Sequence, residues 1–522
     1  MNILSFEFLV FIMAVLIVYY VLPLKLRWLA LLAGSAVFVS MSGWAGAAHM
    51  TVIALCAWLG GLALSALKQR EKQLRKSGDE GSGGRASACL TRQKLLLAFV
   101  LIIDIGAMVF IKYEPAVAAW MNGLTKGKQM IPVWELAVPL GLSYFTFQSA
   151  GWLIDIYRGK AQAQRNPLKA WLFVGYFPQL AQGPISTWKE LGEQLLTGHR
   201  LEPVQFVSGF QLMLWGYFKK MVIADRLAPT TAALLGETGS MPGWMVLGGV
   251  VLYMLRLYAD FSGGMDVARG ISRMLGIELP ENFRRPFFSK SVAEYWRRWH
   301  ITLGAWFRSY LMYPLTTSHA GIALGRRASK VFGKKTGRVI PTALATLLIF
   351  VLIGMWHSAN WNALVYGAYF GLVMAASILL QPLWKKMNSA FHLQGEKAGV
   401  KAFCMARTWV LVLAAQFFAF TSSPRQGLSL LKQSFVNWDF SHFAEQMTAI
   451  MSVREWVIAG IAMAVLLLTD ILCERGIDLC GRLAKAHIWV RWPVLLLLLM
   501  AILIFGMYGV GYDSTAFMYT QF

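Results

Sequence analysis

The sequence predicts an all-α polytopic membrane protein, and three observations carry that reading. The hydrophobic set makes up 57% of the 522 residues and mean hydropathy is +0.52. Asp, Glu, Lys and Arg together make up only 14%, against roughly 25% in a typical soluble domain. Apolar runs of bilayer-crossing length, ~17–25 residues, recur from one end of the chain to the other. A soluble fold of this size has no way to hide that much apolar surface, because burial saturates as chains grow. A disordered chain is excluded as well, since it would be apolar-poor. The net charge of +23 does not require nucleic acid. In a membrane protein its first reading is cytoplasmic loops rich in Lys and Arg.

The runs place expected spans at 3–22, 28–42, 50–67, 95–112, 136–157, 204–223, 243–263, 340–356, 358–381, 404–421, 453–472 and 491–510, eleven to twelve crossings in all. The first lacks a basic leader and a small-residue cleavage site, so it reads as a retained span. Segment 170–184 is short and aromatic, closes with Pro178 and Pro184, and reads as re-entrant. Segment 292–315 carries too many charges to face lipid. With the N-terminus outside, inward segments hold 37 Lys and Arg and outward segments 7. By the positive-inside rule this orients the chain with both termini outside. The cluster Lys219, Lys220 and Arg226 falls on the wrong side, which predicts a displaced or incomplete crossing.

The whole of 1–522 reads as one membrane domain. Segment 68–94, with its GDEGSGG centre, is expected to be a solvated cytoplasmic loop, 264–339 a cytoplasmic cleft segment and 511–522 an outer tail. No internal repeat is visible. The five cysteines form no C-x-x-C pair and read as buried thiols, not disulfides or metal ligands.

Two stretches carry chemistry. In the first, Gly263 and Gly264 permit a sharp turn and Pro280 starts a break. A helix then opens at Ser291 with Glu294 three residues on, a capping-box spacing. On that helix Trp296, Trp299, His300 and Leu303 would share a face, flanked by Arg297 and Arg298. This is either an interfacial amphipathic helix or a buried helix lining a cleft whose arginines receive a phosphate-bearing ligand.

In the second stretch, two apolar runs meet at GMWHSANWN, Gly354 to Asn362, with no charged residue between Arg338 and Lys385. The chain enters the bilayer and returns, with His357 at the far end or in the middle. An ionisable residue there is a functional candidate. The alternative is a neutral structural imidazole bonded between helices, for example through Asn360. No histidine pair has the spacing of a zinc motif, so no metal is expected. Without a G-x-S-x-G elbow to supply a serine, a catalytic His357 would act as a general base on an incoming hydroxyl. A proton-relay histidine in a transporter is the rival.

Four blocks resemble the membrane-bound O-acyltransferase family: Pro139 to Lys160, Tyr176 to Ile185, Glu281 to Leu315, and the stretch around His357. They are most similar to the bacterial branch that includes the alginate O-acetyltransferase membrane subunit and the D-alanyl transfer protein of teichoic acid modification. The resemblance implies tilted helices around a central funnel, with additional re-entrant or interfacial helices. It implies that His357 is catalytic, that His300 is a second active residue, and that an acyl thioester donor, acetyl-coenzyme A or a phosphopantetheinyl carrier protein, enters from the cytoplasm. Arg284, Arg285, Trp296, Arg297, Arg298, Trp299 and Asn360 are then expected at the donor and substrate site. The ending FMYTQF resembles the C-terminal motif of a small partner protein in D-alanylation, which implies Tyr519 as an acyl relay; otherwise it is an interfacial aromatic belt.

The expected activity is transfer of an acyl group, acetyl first and D-alanyl second, across a bacterial cytoplasmic membrane to a cell-envelope polymer. No cofactor is expected to be bound. The expected partners are an extracytoplasmic acyltransferase or esterase-like protein, an acyl-carrier protein and the lipid bilayer. A transporter or flippase of an envelope intermediate is the first non-enzyme alternative. It would need repeat symmetry and charges spread over several spans, whereas the chain shows only Arg256, Asp104 and a few acids near span ends. A scaffold for an outer enzyme is the other, and would need no buried histidine.

Overall fold

A computed structural model gives residues 3–508, except 78–81, 125–131, 133, 135–137, 237–240 and 392–396. The described residues are 82% helical and form no strand beyond one isolated bridge. Within the described residues, each of the twelve expected spans overlaps a helix. Eight of these helices are long and apolar enough to cross a bilayer: Trp44–Ser77, Ser82–Leu124, Gly243–Met274, His319–His357, Trp361–Leu379, Ala398–Gln416, Val453–Glu474 and Ile488–Phe505. Phe6–Val21 is apolar but shorter. The Ser82–Leu124 helix leaves Leu95, Phe99 and Ile102 exposed, and Ile488–Phe505 does the same with Trp492 and Leu497. Such bare apolar faces belong in lipid. The protein is a multi-pass membrane protein.

The chain divides into two compact units, residues 1–213 with 265–280, and residues 214–264 with 281–522. In the first, Phe8, Phe38 and Phe177 pack as an aromatic knot, and Trp152 stacks on Trp188 at 5.0 Å. The stretch expected to be re-entrant forms two short helices, Pro167–Gly175 and Phe177–Gln182, whose side chains are mostly buried in this unit. The expected loop over 68–94 is helical on both sides of 78–81. Its Lys, Arg and Glu residues are good helix formers, and a Glu71–Arg75 pair at 2.8 Å spans one turn.

In the second unit the expected turn at Gly263 and Gly264 is absent, because the helix runs unbroken from Gly243 to Met274. Gly263 serves a close approach instead: a β-carbon there would sit 2.8 Å from the Gly216 carbonyl oxygen. The expected crossing at 204–223 is a 15-residue helix, Pro203–Tyr217, that widens into a π-helical turn over Phe218–Ala224. Its charges are internal. Lys220 donates to Asp260 at 2.6 Å and to Asp225 at 2.7 Å, and Lys219 to Ser262 at 2.8 Å. Arg226 pairs with Glu455. Cations neutralised inside the protein do not interact with lipid headgroups, so their position says little about which side they face.

Candidate functional site

The site is built within the second unit. Ser291 caps the first helix as its spacing suggests, its hydroxyl accepting from the Glu294 N–H at 3.1 Å. The Glu294 carboxylate takes the Lys290 N–H at 2.9 Å, one residue outside a reciprocal box. The helix then ends at Arg298, and a new one runs Ile301–Phe307. This corrects the single helical face expected for Trp296, Trp299, His300 and Leu303. Trp299 is extended and bridges Phe283, while Arg284 N–H donates to the Arg298 carbonyl at 2.8 Å. His300 adopts a left-handed backbone with φ 46, and Arg285 does likewise with φ 44. Such backbones are costly for residues with a β-carbon and persist only where the surroundings fix them.

Asn282 is what holds the break. Its side-chain oxygen accepts from the Thr302 N–H at 3.0 Å and the Thr302 hydroxyl at 2.9 Å, and lies 3.3 Å from His300 Nδ1. An amide oxygen only accepts, so this contact is a hydrogen bond when Nδ1 carries the proton. That tautomer leaves Nε2 as the basic nitrogen. The ring is 2% exposed and sits edge-on to Phe261 at 4.9 Å. Burial, and secondarily the charge of His357, push its pKa well down, so the imidazole is neutral near pH 7.

The long helix His319–His357, kinked at Gly333, ends on His357. The chain turns over Ser358 to Asn360 and re-enters as Trp361–Leu379, with the Asn360 side chain accepting from the Ala363 N–H at 2.8 Å. The two helices pack through glycine: a methyl at Gly354 would collide with the Ala363 carbonyl, and one at Gly367 with that of Phe350. His357 therefore stands at the tip of a tight hairpin. Trp356 links the two histidines, 6.2 Å from the His300 ring and 4.6 Å from His357.

Two cavities lie on successive turns of this helix. One, about 930 Å³ with its mouth, is lined by Trp296, Arg297, His300 and Arg308 together with apolar residues up to Ile353. The other, about 580 Å³ with its mouth, is lined by Gly354, His357, Ser358, Asn360, Asn362, Tyr366 and Gln416 among others. Trp296 packs edge-on against Phe350 and Phe370 at 5.1 and 4.9 Å. With Tyr295, Trp299 and His300 all buried, the helix lines a cleft and does not lie at the interface.

The structure thus brings together His300, His357, Trp296, Arg297 and Asn360 around two adjoining cavities. The other arginines are engaged elsewhere. Arg285 and Arg298 share Glu474 at 2.8 and 2.9 Å, and Arg284 pairs with Glu281 at 3.0 Å on the surface. Trp299 packs edge-on to Phe283 at 4.9 Å. Tyr519 lies outside the described residues. Sequence reasoning missed Arg308, Asn282, Asn362, Tyr366, Gln416 and Glu474. Asn282 and Arg308 fell inside the Glu281–Leu315 block and Asn362 inside the His357 block, whereas Tyr366, Gln416 and Glu474 carried no local signal.

The membrane-bound O-acyltransferase family model matches residues 159–325, which include His300 and its arginines. The match takes in the Tyr176–Ile185 and Glu281–Leu315 blocks and ends before the His357 block. Among individual relatives, the chain is similar to the probable alginate O-acetylase AlgI of Azotobacter vinelandii, 32% identical over 53% of this chain and 52% of that protein. It is also similar to the peptidoglycan O-acetyltransferase of Helicobacter pylori, 28% identical over 54% and 55%. The teichoic acid D-alanyltransferase of Streptococcus thermophilus is 28% identical over 50% and 61%. The matched part spans about half the length of the first of these relatives.

Proposed function

We propose that the protein is an integral membrane O-acyltransferase of a bacterial cytoplasmic membrane, with both termini outside. It passes an acyl group from a cytoplasmic thioester to a hydroxyl bound for a cell-envelope polymer. The observation that carries this reading is the pair of cavities on successive turns of the His319–His357 helix, one holding His300 and two arginines, the other holding His357. The thioester, of acetyl-coenzyme A or a phosphopantetheinyl carrier protein, would come from the His300 side. Arg297 and Arg308 suit its phosphates, and the basic segment 264–339 suits an acidic carrier. The hydroxyl would come from the other side.

His357 takes the hydroxyl proton as its oxygen bonds to the thioester carbonyl carbon. The N-terminal end of the Trp361–Leu379 helix borders the same cavity, and its positive dipole end favours the developing oxyanion. The C–S bond then breaks and the thiolate leaves with the proton returned by His357, with His300 assisting. Trp299 and Asn360 shape the site, while Arg284, Arg285 and Arg298 contribute to the donor approach. Tyr519 is a candidate first acceptor, and an extracytoplasmic acyltransferase or esterase-like partner would complete delivery.

Acetyl is favoured over D-alanyl. The residues lining the His357 cavity include no Asp, Glu, Lys or Arg, and a D-alanyl ammonium buried there would lack a counter-charge. Two of the named relatives are acetyl-transfer proteins. The test is His357→Ala, assayed for polymer acylation at matched protein level. We expect a loss of at least a hundredfold, the scale of general-base catalysis; undiminished acylation would sink the proposal. Tyr519→Phe in the same assay tests the relay.

A further inference from the structure

The His357 cavity contains two buried amide groups that the reaction as written does not use. Asn362 is 3% exposed and Gln416 0%, and both line the cavity. The Asn362 amide is oriented by its surroundings. Its nitrogen donates to the Thr421 carbonyl and, at 3.1 Å, to the Thr421 hydroxyl. A flipped amide would set oxygen against that carbonyl, so Oδ1 is the atom left over, and it has no hydrogen-bond partner. Gln416 Oε1 has none either, while its nitrogen lies 3.5 Å from the Tyr366 hydroxyl, a long contact. Leaving two buried acceptors unsatisfied is costly, and a ligand able to donate would relieve it.

That ligand is constrained by chemistry. Amide oxygens only accept, so it must bring hydrogens on oxygen or nitrogen. The proton of the attacking hydroxyl is taken by His357 and is not available to them. The donors must therefore sit beside the reacting hydroxyl, a demand that neighbouring hydroxyls meet. We propose that Asn362 and Gln416 form an acceptor subsite for a polyol, a carbohydrate-like molecule with neighbouring hydroxyls that enters this cavity directly. This rests on the acyl-transfer reading but makes the Tyr519 relay dispensable. Asn362 and Gln416 are specificity-determining residues, and His357 remains the base.

The test uses the full-length protein in lipid nanodiscs, carrying Tyr519→Phe so that the tail phenol is absent. Thiol release from acetyl-coenzyme A is measured with glycerol or with 1-propanol, three-carbon alcohols with and without neighbouring hydroxyls. We expect the KM for glycerol to be at least tenfold below that for propanol. Gln416→Leu, or the milder Gln416→Met should the first not fold, is expected to erase that preference with the KM for acetyl-coenzyme A within twofold. Gln416→Glu keeps an oxygen in place and is expected to retain most of it. Equal use of both alcohols, a preference unchanged by Gln416→Leu, or a rise confined to the donor KM each overturns the subsite. A parallel His357→Ala sample separates the two ideas. If it still releases thiol with either alcohol, the acyl-transfer reading falls; if it is inactive while the Gln416 changes are silent, only the subsite falls.

Discussion

His300 is buried against Phe261 and Trp356, held by Asn282, and kept neutral by burial first and by His357 second. The linkage has a definite sign. Its pKa is lowered in the folded protein, whereas in the unfolded chain the imidazole takes up a proton below about pH 6.5. As pH falls through that value the unfolded state binds the extra proton, so stability is lost on the acid side and unaffected above it. Thermal melts of the detergent-solubilised protein should show Tm falling between about pH 6.5 and pH 5. The fall should be shallower in His300→Gln, and identical slopes would mean the ring is not held neutral. At this scale the motif was legible and its geometry was not. The W-R-R-W-H block marks His300 as unusual, yet helical periodicity placed it on a continuous face. The left-handed backbone at His300 depends on Asn282, 18 residues earlier, and no local pattern reports that pairing.

At the scale of elements, the histidine hairpin depends on how closely two helices approach. Gly354 and Gly367 let each backbone meet the other's carbonyls without a side chain between them. Gly354→Ala inserts one methyl where none fits and should cost on the order of 1–3 kcal/mol by overpacking, while tilting the turn that carries His357. The expected outcome is a lower Tm together with reduced acyl transfer; an unchanged Tm with full activity would show that the approach is not needed. The hairpin itself was legible, because two apolar runs around an uncharged centre leave few other arrangements. The turn expected at Gly263 was misread for a related reason. Glycine marks either a bend or a close approach, and only the Gly216 carbonyl across the interface decides which. The 68–94 stretch likewise carried composition that suits either a solvated loop or helices extending past the membrane.

At the scale of the whole molecule, hydropathy located all eight helices long and apolar enough to cross a bilayer among the described residues, since each run reports its own burial in lipid or protein. What it did not convey was which cations are internal. Lys220 and Arg226 count against the positive-inside rule only until their partners Asp260, Asp225 and Glu455 are seen. The proposed orientation has a direct check. In a cysteine-free background, Asp439→Cys should react with a membrane-impermeant thiol reagent in spheroplasts with intact inner membranes. Gly399→Cys should react only after those membranes are opened, and the reverse pattern would invert the topology.

The wall between the two cavities also has an electrical consequence. On the proposed reading, with donor and hydroxyl entering from opposite sides, the two cavities sit on successive turns of one helix, Ile353 lining one and Gly354 the other, so the low-dielectric barrier between them is thin. Much of the membrane potential would then drop across a few ångströms, and each proton carried through would release about 2.3 kcal/mol per 100 mV. A histidine that shuttled protons past such a thin septum would be a leak. On that reading, a His300 ring held neutral by burial would limit such a leak.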